Sequence, residues 1–213
     1  MDKQFAVFDL DGTLADSMVC WAELAGEFLK KRGIHPVPEG IADEIKTMTM
    51  AESAALFVRT FGLEDTPEQV AGEMNAMIEE HYRKDIPLKD GAGEYIRQLA
   101  SQGVRMCVAS ATDRHLVSDC LKRLGILPYF EFLISCEEVG RGKDSPRVYE
   151  EAARRFGAQP GEIAVYEDAL FAARTARQAG FYVVGVYDRG SKDFDQLKQM
   201  ADEVVLSWRD CLG

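Results

Sequence analysis

The chain has 213 residues, 46% of them hydrophobic and 29% charged, with a formal net charge of −11 at pH 7. That length is long for one simple domain and short for two full ones, so one core with an inserted subdomain fits it best. The acidic balance argues against nucleic acid and anionic membrane as partners, because both need a positive surface. Any anionic substrate must then be drawn in by a local cation rather than by the field of the whole protein. The five cysteines, Cys20, Cys107, Cys120, Cys136 and Cys211, are an odd number without a CxxC pair. They read as reduced structural thiols, which implies a cytoplasmic protein. No signal peptide precedes the first predicted strand, and no apolar run approaches the ~20 residues that cross a bilayer.

The first strand, Phe5 to Phe8, runs straight into Asp9-Leu10-Asp11-Gly12-Thr13-Leu14. A strand alternates its side chains with a period of two, so Asp9 and Asp11 are expected on one side, and Gly12 allows a sharp turn. Two carboxylates at the end of a buried strand repel each other and lose hydration. A bound divalent cation would offset that cost, and a carboxylate held beside a phosphate can act as a nucleophile.

From about Asp16 to Ile86 the pattern predicts helices and no strand. Ser17 to Lys31 is amphipathic and stops at Gly33, Asp43 to Phe61 reads as one helix ending at Gly62, and Thr66-Pro67-Glu68 opens a helix running to about Arg83. Pro87 to Gly91 then returns the chain to an α/β rhythm. Strands are predicted at Val104 to Ala109, Phe132 to Ile134, Ile163 to Tyr166, Tyr182 to Val186 and Glu203 to Leu206. Helices are predicted between them at Leu116 to Leu124, Val148 to Phe156 and Ala169 to Ala179. The expected fold class is α/β, with a Rossmann-like parallel sheet, helices on both faces and an inserted α-helical cap. Its boundaries are read as residues 1–15 and 87–213 for the core and 16–86 for the cap, with the insert placed above the edge where open α/β sheets bind ligands.

Three further motifs follow strands. Val108-Ala109-Ser110-Ala111-Thr112-Asp113 puts a hydroxyl and backbone N–H groups just before a helix, a ready anion site. Gly140-Arg141-Gly142-Lys143-Asp144-Ser145-Pro146 sets a basic residue in a glycine-flanked loop, and Val165-Tyr166-Glu167-Asp168 ends a strand in adjacent acids. Taken singly, Ser110 reads as a helix cap, Lys143 as a solvated lysine, and Glu167-Asp168 as a cap. Their order and context carry more than any one of them. The histidines His35, His81 and His115 show no metal-ligand spacing, and Met74, Met77 and Ile78 read as a packing face of a cap helix.

With these motifs in this order, the chain resembles the haloacid dehalogenase-like hydrolase superfamily over essentially its whole length. Asp9-Leu-Asp11-Gly-Thr13-Leu is similar to the first motif of that family and Ser110 to the second. Lys143, in GKxxPxxY form through Tyr149, is similar to the third, and Glu167-Asp168, with Ala179-Gly180 after the helix, to the fourth. The branch it most resembles contains phosphoglycolate phosphatases and β-phosphoglucomutases. The resemblance implies a Mg²⁺-dependent phosphatase acting on a small phosphorylated metabolite through an aspartyl-phosphate. In that picture Asp9 is the nucleophile and Asp11 the general acid and base. Ser110, Ala111 and Gly12 would hold the phosphoryl oxygens, and Lys143 would neutralise charge. Asp9, the Asp11 carbonyl and Asp168 would bind Mg²⁺, with Glu167 in or near that shell.

Two departures stand out: Ala169 and Ala172 occupy places where the branch carries Ser and Gly. The main alternative is a sugar phosphomutase. Those enzymes carry a histidine where this chain has Trp21 and a cap arginine where it has Met50. A non-catalytic phosphate binder is a third reading, set back by the intact Asp9, Asp11, Ser110, Lys143 and Asp168. Trp21 and the segment Thr47 to Met50 are expected to face the substrate. A monomer is the default expectation.

Overall fold

The computed structural model of the chain describes residues 3–45, 48 and 50–212. By its backbone contacts the chain divides into two compact units, Met1–Ser17 with Ile86–Gly213, and Met18–Asp85.

The first unit is built on six strands: β1 (Phe5–Phe8), β2 (Arg105–Ser110), β3 (Phe132–Ser135), β4 (Ile163–Glu167), β5 (Tyr182–Val186) and β6 (Glu203–Val205). They pair in the order β3-β2-β1-β4-β5-β6, every pair parallel. This is the Rossmann order, and its switch point lies between β1 and β4, where the chain goes to one side of β1 and then to the other. Ala6, Val7 and Phe8 of β1 are all fully buried, as a central strand covered on both faces requires. On one face Val7, Cys107, Val165 and Val183 pack against Val148, Tyr149 and Ala152 of a helix at Arg147–Phe156 and Ala173 and Ala176 of one at Leu170–Gln178. On the other, Phe8 stacks on Tyr166 at 4.2 Å between centroids, and Tyr95, from a helix at Ala92–Ser101, closes on Tyr166 and Trp208. A helix at Arg114–Arg123 follows β2.

The second unit is helical: α1 (Met18–Lys31), α2 (Ile41–Ile45), α3 (Met50–Phe61) and α4 (Pro67–Lys84). Its core includes Leu24, Ala25, Phe28, Phe57, Val70, Met74 and Ile78, and Phe28 stacks on Phe57. No strand occurs among its described residues. Where one helix is expected over Asp43 to Phe61, two stand, α2 and α3. Of the segment Thr47 to Met50, residues 47 and 49 lie outside the described residues, and Met50 opens α3. α4 begins as its sequence dictates. Thr66 caps it in a reciprocal box with Gln69, and Pro67 takes the first position, where no amide donor is needed.

Candidate active site

The carboxyl ends of β1, β2 and β4 bring together most of the residues singled out in the sequence. Asp9 follows β1 directly and donates its backbone N–H to the Tyr166 carbonyl of β4 at 3.0 Å, which sets it beside Glu167 and Asp168. Ser110 ends β2, and Lys143 comes from the loop before the helix at Arg147–Phe156. Asp9, Ser110, Lys143, Glu167 and Asp168 are all buried. Lone charged groups do not persist in such surroundings without partners.

Lys143 supplies the partner. Its Nζ donates to Asp9 Oδ1, and to Glu167 Oε1 at 2.6 Å. Tyr149 donates its hydroxyl to the same Glu167 oxygen at 2.7 Å. Thr13 donates to Asp168 Oδ1 at 3.1 Å. Gly12 shapes the turn between them at φ +80°, and a Cβ there would run into the Asp168 carboxylate. The turn therefore requires glycine twice, for its backbone and for the space Asp168 fills.

One ammonium faces three carboxylates. Burial pushes the Asp9 carboxyl well above its ordinary range; Lys143 opposes the rise, and Glu167, Asp168 and Asp11 add to it. Burial and then Glu167 push Asp168 up to about 7, against the pull of Lys143 and Lys89. Burial alone would lower Lys143, but Asp9 and Glu167 outweigh it and raise its pKa, so the lysine stays charged. Asp9, Glu167 and Asp168 each present an oxygen within 4.8 Å of the others. An all-oxygen, multiply negative donor set is what a hard divalent cation such as Mg²⁺ takes, so these residues fit it.

Asp11 is positioned by hydroxyl groups rather than by the strand. β1 ends at Phe8, so strand alternation no longer governs Asp11. Its carboxylate accepts from Ser17 Oγ at 2.6 Å and from Thr112 Oγ1 at 2.8 Å, and it is not among the three clustered acids. Ser110 Oγ accepts the Thr112 backbone N–H at 3.0 Å, so the loop after β2 is bound to both motifs. Ala111 is exposed at its tip. Ala169 takes the cap position of the helix at Leu170–Gln178 with no side-chain bond, and Ala172 is packed away.

Sequence reasoning did not single out Ser17, Thr112 or the pair Lys89–Asp188. Asp188, just beyond β5 and 2% exposed, meets Lys89 Nζ at 2.8 Å, and both charges act on Asp168. The polar run Tyr187-Asp188-Arg189-Gly190 after an apolar strand was the available signal. Trp21, expected to face the substrate, donates its Nε1–H to the Tyr82 hydroxyl at 3.2 Å within the helical unit.

A family model described as haloacid dehalogenase-like hydrolase matches residues 4–180 of the chain. Validoxylamine A 7'-phosphate phosphatase of Streptomyces hygroscopicus subsp. limoneus is 29% identical over 85% of this chain and 84% of its own length. A phosphorylated carbohydrates phosphatase of Thermotoga maritima is 21% identical over 82% of this chain and 80% of its own. The fold is shared with a crystal structure described as a putative beta-phosphoglucomutase from Thermotoga maritima. Its TM-score is 0.86 at 20% identity, covering 98% of this chain and 96% of that one.

Proposed function

Because the chain belongs to the haloacid dehalogenase-like hydrolase family, we propose that it is a Mg²⁺-dependent phosphatase acting on a small phosphorylated metabolite through an aspartyl-phosphate. The observation that carries this reading is the buried Lys143, charged and shared between Asp9 and Glu167, with Asp168 alongside. A carboxylate attacks a phosphate only when the charge of both is offset. Lys143 does part of this, opposing the burial that favours a neutral Asp9 and orienting its carboxylate, while Glu167, itself bonded by the Tyr149 hydroxyl, holds Lys143. Asp9, the backbone carbonyl of Asp11, Asp168 and Glu167 would hold Mg²⁺, which would supply Lewis-acid stabilisation of the phosphoryl oxygens.

In this reading Asp9 forms a bond to phosphorus as the substrate oxygen leaves. Asp11 gives that oxygen a proton and then takes one from the water that cleaves the acyl phosphate. Its carboxylate accepts from the Ser17 and Thr112 hydroxyls, a pair that orients it. Ser110, Ala111 and Gly12 would contribute N–H and hydroxyl groups to the phosphoryl oxygens.

The relatives named above act on phosphorylated compounds by their names, which supports the substrate class. A phosphomutase would hand the phosphoryl group to a second hydroxyl. Trp21 and Met50, standing in place of a histidine and an arginine, favour water as the acceptor. The test is phosphate release from a panel of phosphorylated metabolites, with Mg²⁺ and with chelator. Release from a few compounds that stops with chelator supports the reading. Release unchanged by chelator removes Mg²⁺ from it, and substrate isomerisation without phosphate release replaces it by the mutase.

A further inference from the structure

The helical unit gathers a second set of donors with a different chemistry. Cys20 lies in the first turn of α1 and Glu27 two turns further on, while His81 lies in the last turn of α4 and Asp85 caps that helix. Cys20 and His81 are sixty-one positions apart, so no spacing in the sequence shows the set; the packing of α1 on α4 assembles it. The Cys20 thiol, a His81 ring nitrogen and an Asp85 oxygen lie within 4.8 Å of one another. His81 Nδ1 is 2.9 and 3.1 Å from the two Asp85 oxygens, and Nε2 is 3.2 Å from Glu27 Oε2. The His81 side chain is 21% exposed and that of Asp85 60%, so the cluster is held in place yet open to ions.

We propose that Cys20, His81 and Asp85 bind a divalent cation of the Zn²⁺ class, with Glu27 as the carboxylate that orients the imidazole. One sulfur, one imidazole nitrogen and one carboxylate oxygen are the donors that borderline-soft ions select, unlike the all-oxygen set at Asp9, Glu167 and Asp168. A metal-bound histidine usually donates its other N–H to a carboxylate, and Glu27 stands at Nε2 in that role, leaving Nδ1 to face Asp85. Bonds of about 2.0–2.3 Å place the ligand atoms of a tetrahedral site roughly 3.3–3.8 Å apart. Turning the exposed Asp85 side chain and the Cys20 thiol by a fraction of that distance brings the three atoms onto one ion, with water as the fourth ligand. Around the thiol, burial and then Asp85, Glu27 and Glu23 work against a bare thiolate, and a cation reverses each of those electrostatic effects. Such an ion would join the start of α1 to the end of α4.

The competing use of the same groups is an imidazolium paired with Asp85 and Glu27, which needs no metal and leaves the thiol aside. Full-length protein, stripped with chelator, is titrated with Co²⁺ while the near-ultraviolet thiolate-to-cobalt absorption is followed; Zn²⁺ is then added to displace it. The oxygen donors of the first site give no such band. A saturating band in the wild type, removed by Zn²⁺ and missing from a folded Cys20→Ser, is the expected result. Glu27→Gln is expected to weaken Co²⁺ binding about 10–100-fold while keeping the band at saturation. No band in the wild type, or a band that persists in Cys20→Ser, overturns the site. Unchanged affinity in Glu27→Gln overturns the role of Glu27.

Discussion

Lys143 and Asp9 form one ion pair, but losing either should do opposite things to the fold. Without Lys143, Asp9 and Glu167 face each other buried and unpaired. Lys143→Met is therefore expected to be inactive and less stable by about 3–5 kcal/mol, the usual cost of breaking a buried pair from one side. Asp9→Asn instead removes one of three carboxylates facing a single ammonium and leaves Lys143 its bond to Glu167. Chemical denaturation in chelator should find it at least as stable as the wild type; a loss as large as that of Lys143→Met would show that the cluster is not strained by its own charge. At Gly12 the side chain that must yield to a Cβ is Asp168 itself. Gly12→Ala should thus cost activity more than its ~1–3 kcal/mol of backbone strain would suggest, seen as a larger fall in turnover than in unfolding free energy. The acids and Ser110 were legible because each ends or directly follows an apolar strand, and Lys143 because it sits in a glycine-flanked loop just before a helix. The hydroxyls that bind the Asp11 carboxylate were not, since Ser17 and Thr112 come from separate parts of the chain.

Local signals read well where the partners are close in sequence. Thr66, Pro67 and Gln69 specify the start of α4, and Thr66→Ala is expected to cost about 1 kcal/mol through the lost cap, measurable as a shift in denaturation midpoint with an unchanged slope. The Asp43 to Phe61 stretch was less legible: its continuous apolar spacing suits one helix, whereas the structure places α2 and α3 there. The cluster of Phe8, Tyr95, Tyr166 and Trp208 draws on four separate parts of the chain, and Trp208 Nε1 also donates to the Thr13 carbonyl at 3.2 Å. Nothing in the sequence pairs Trp208 with the loop that follows β1. Trp208→Ala is expected to destabilise by about 3–5 kcal/mol, and Trp208→Phe by less. Equal losses would mean that the indole hydrogen bond, not the packed ring, is what matters there.

For the molecule as a whole, alternation of apolar strands and amphipathic helices was enough to give the parallel sheet, because both faces of every inner strand must be covered. The strand order places Asp9 and Glu167 at the switch point, an arrangement that no single motif in the sequence records. Whole-chain burial also governs the thiols. Cys107, Cys120 and Cys136 are buried, and Cys20 and Cys211 half-buried. Burial pushes the Cys107 thiol well up and that of Cys120 up to about 11, so neither is a thiolate near pH 8. A thiol reagent at that pH should modify Cys20 and Cys211 first and reach Cys107 and Cys120 only on unfolding; early labelling of Cys107 would contradict the packing of β2. No helix among the described residues is long and apolar enough to cross a membrane.

The proposed phosphatase requires Asp9 to be the group that attacks phosphorus. Turnover of a generic phosphomonoester in saturating Mg²⁺, compared between wild type and folded Asp9→Asn, tests it most directly. A loss on the order of 10⁴-fold or more is expected, as removal of a nucleophile gives. Turnover in Asp9→Asn within about tenfold of the wild type would contradict it, and would move the chemistry to another residue.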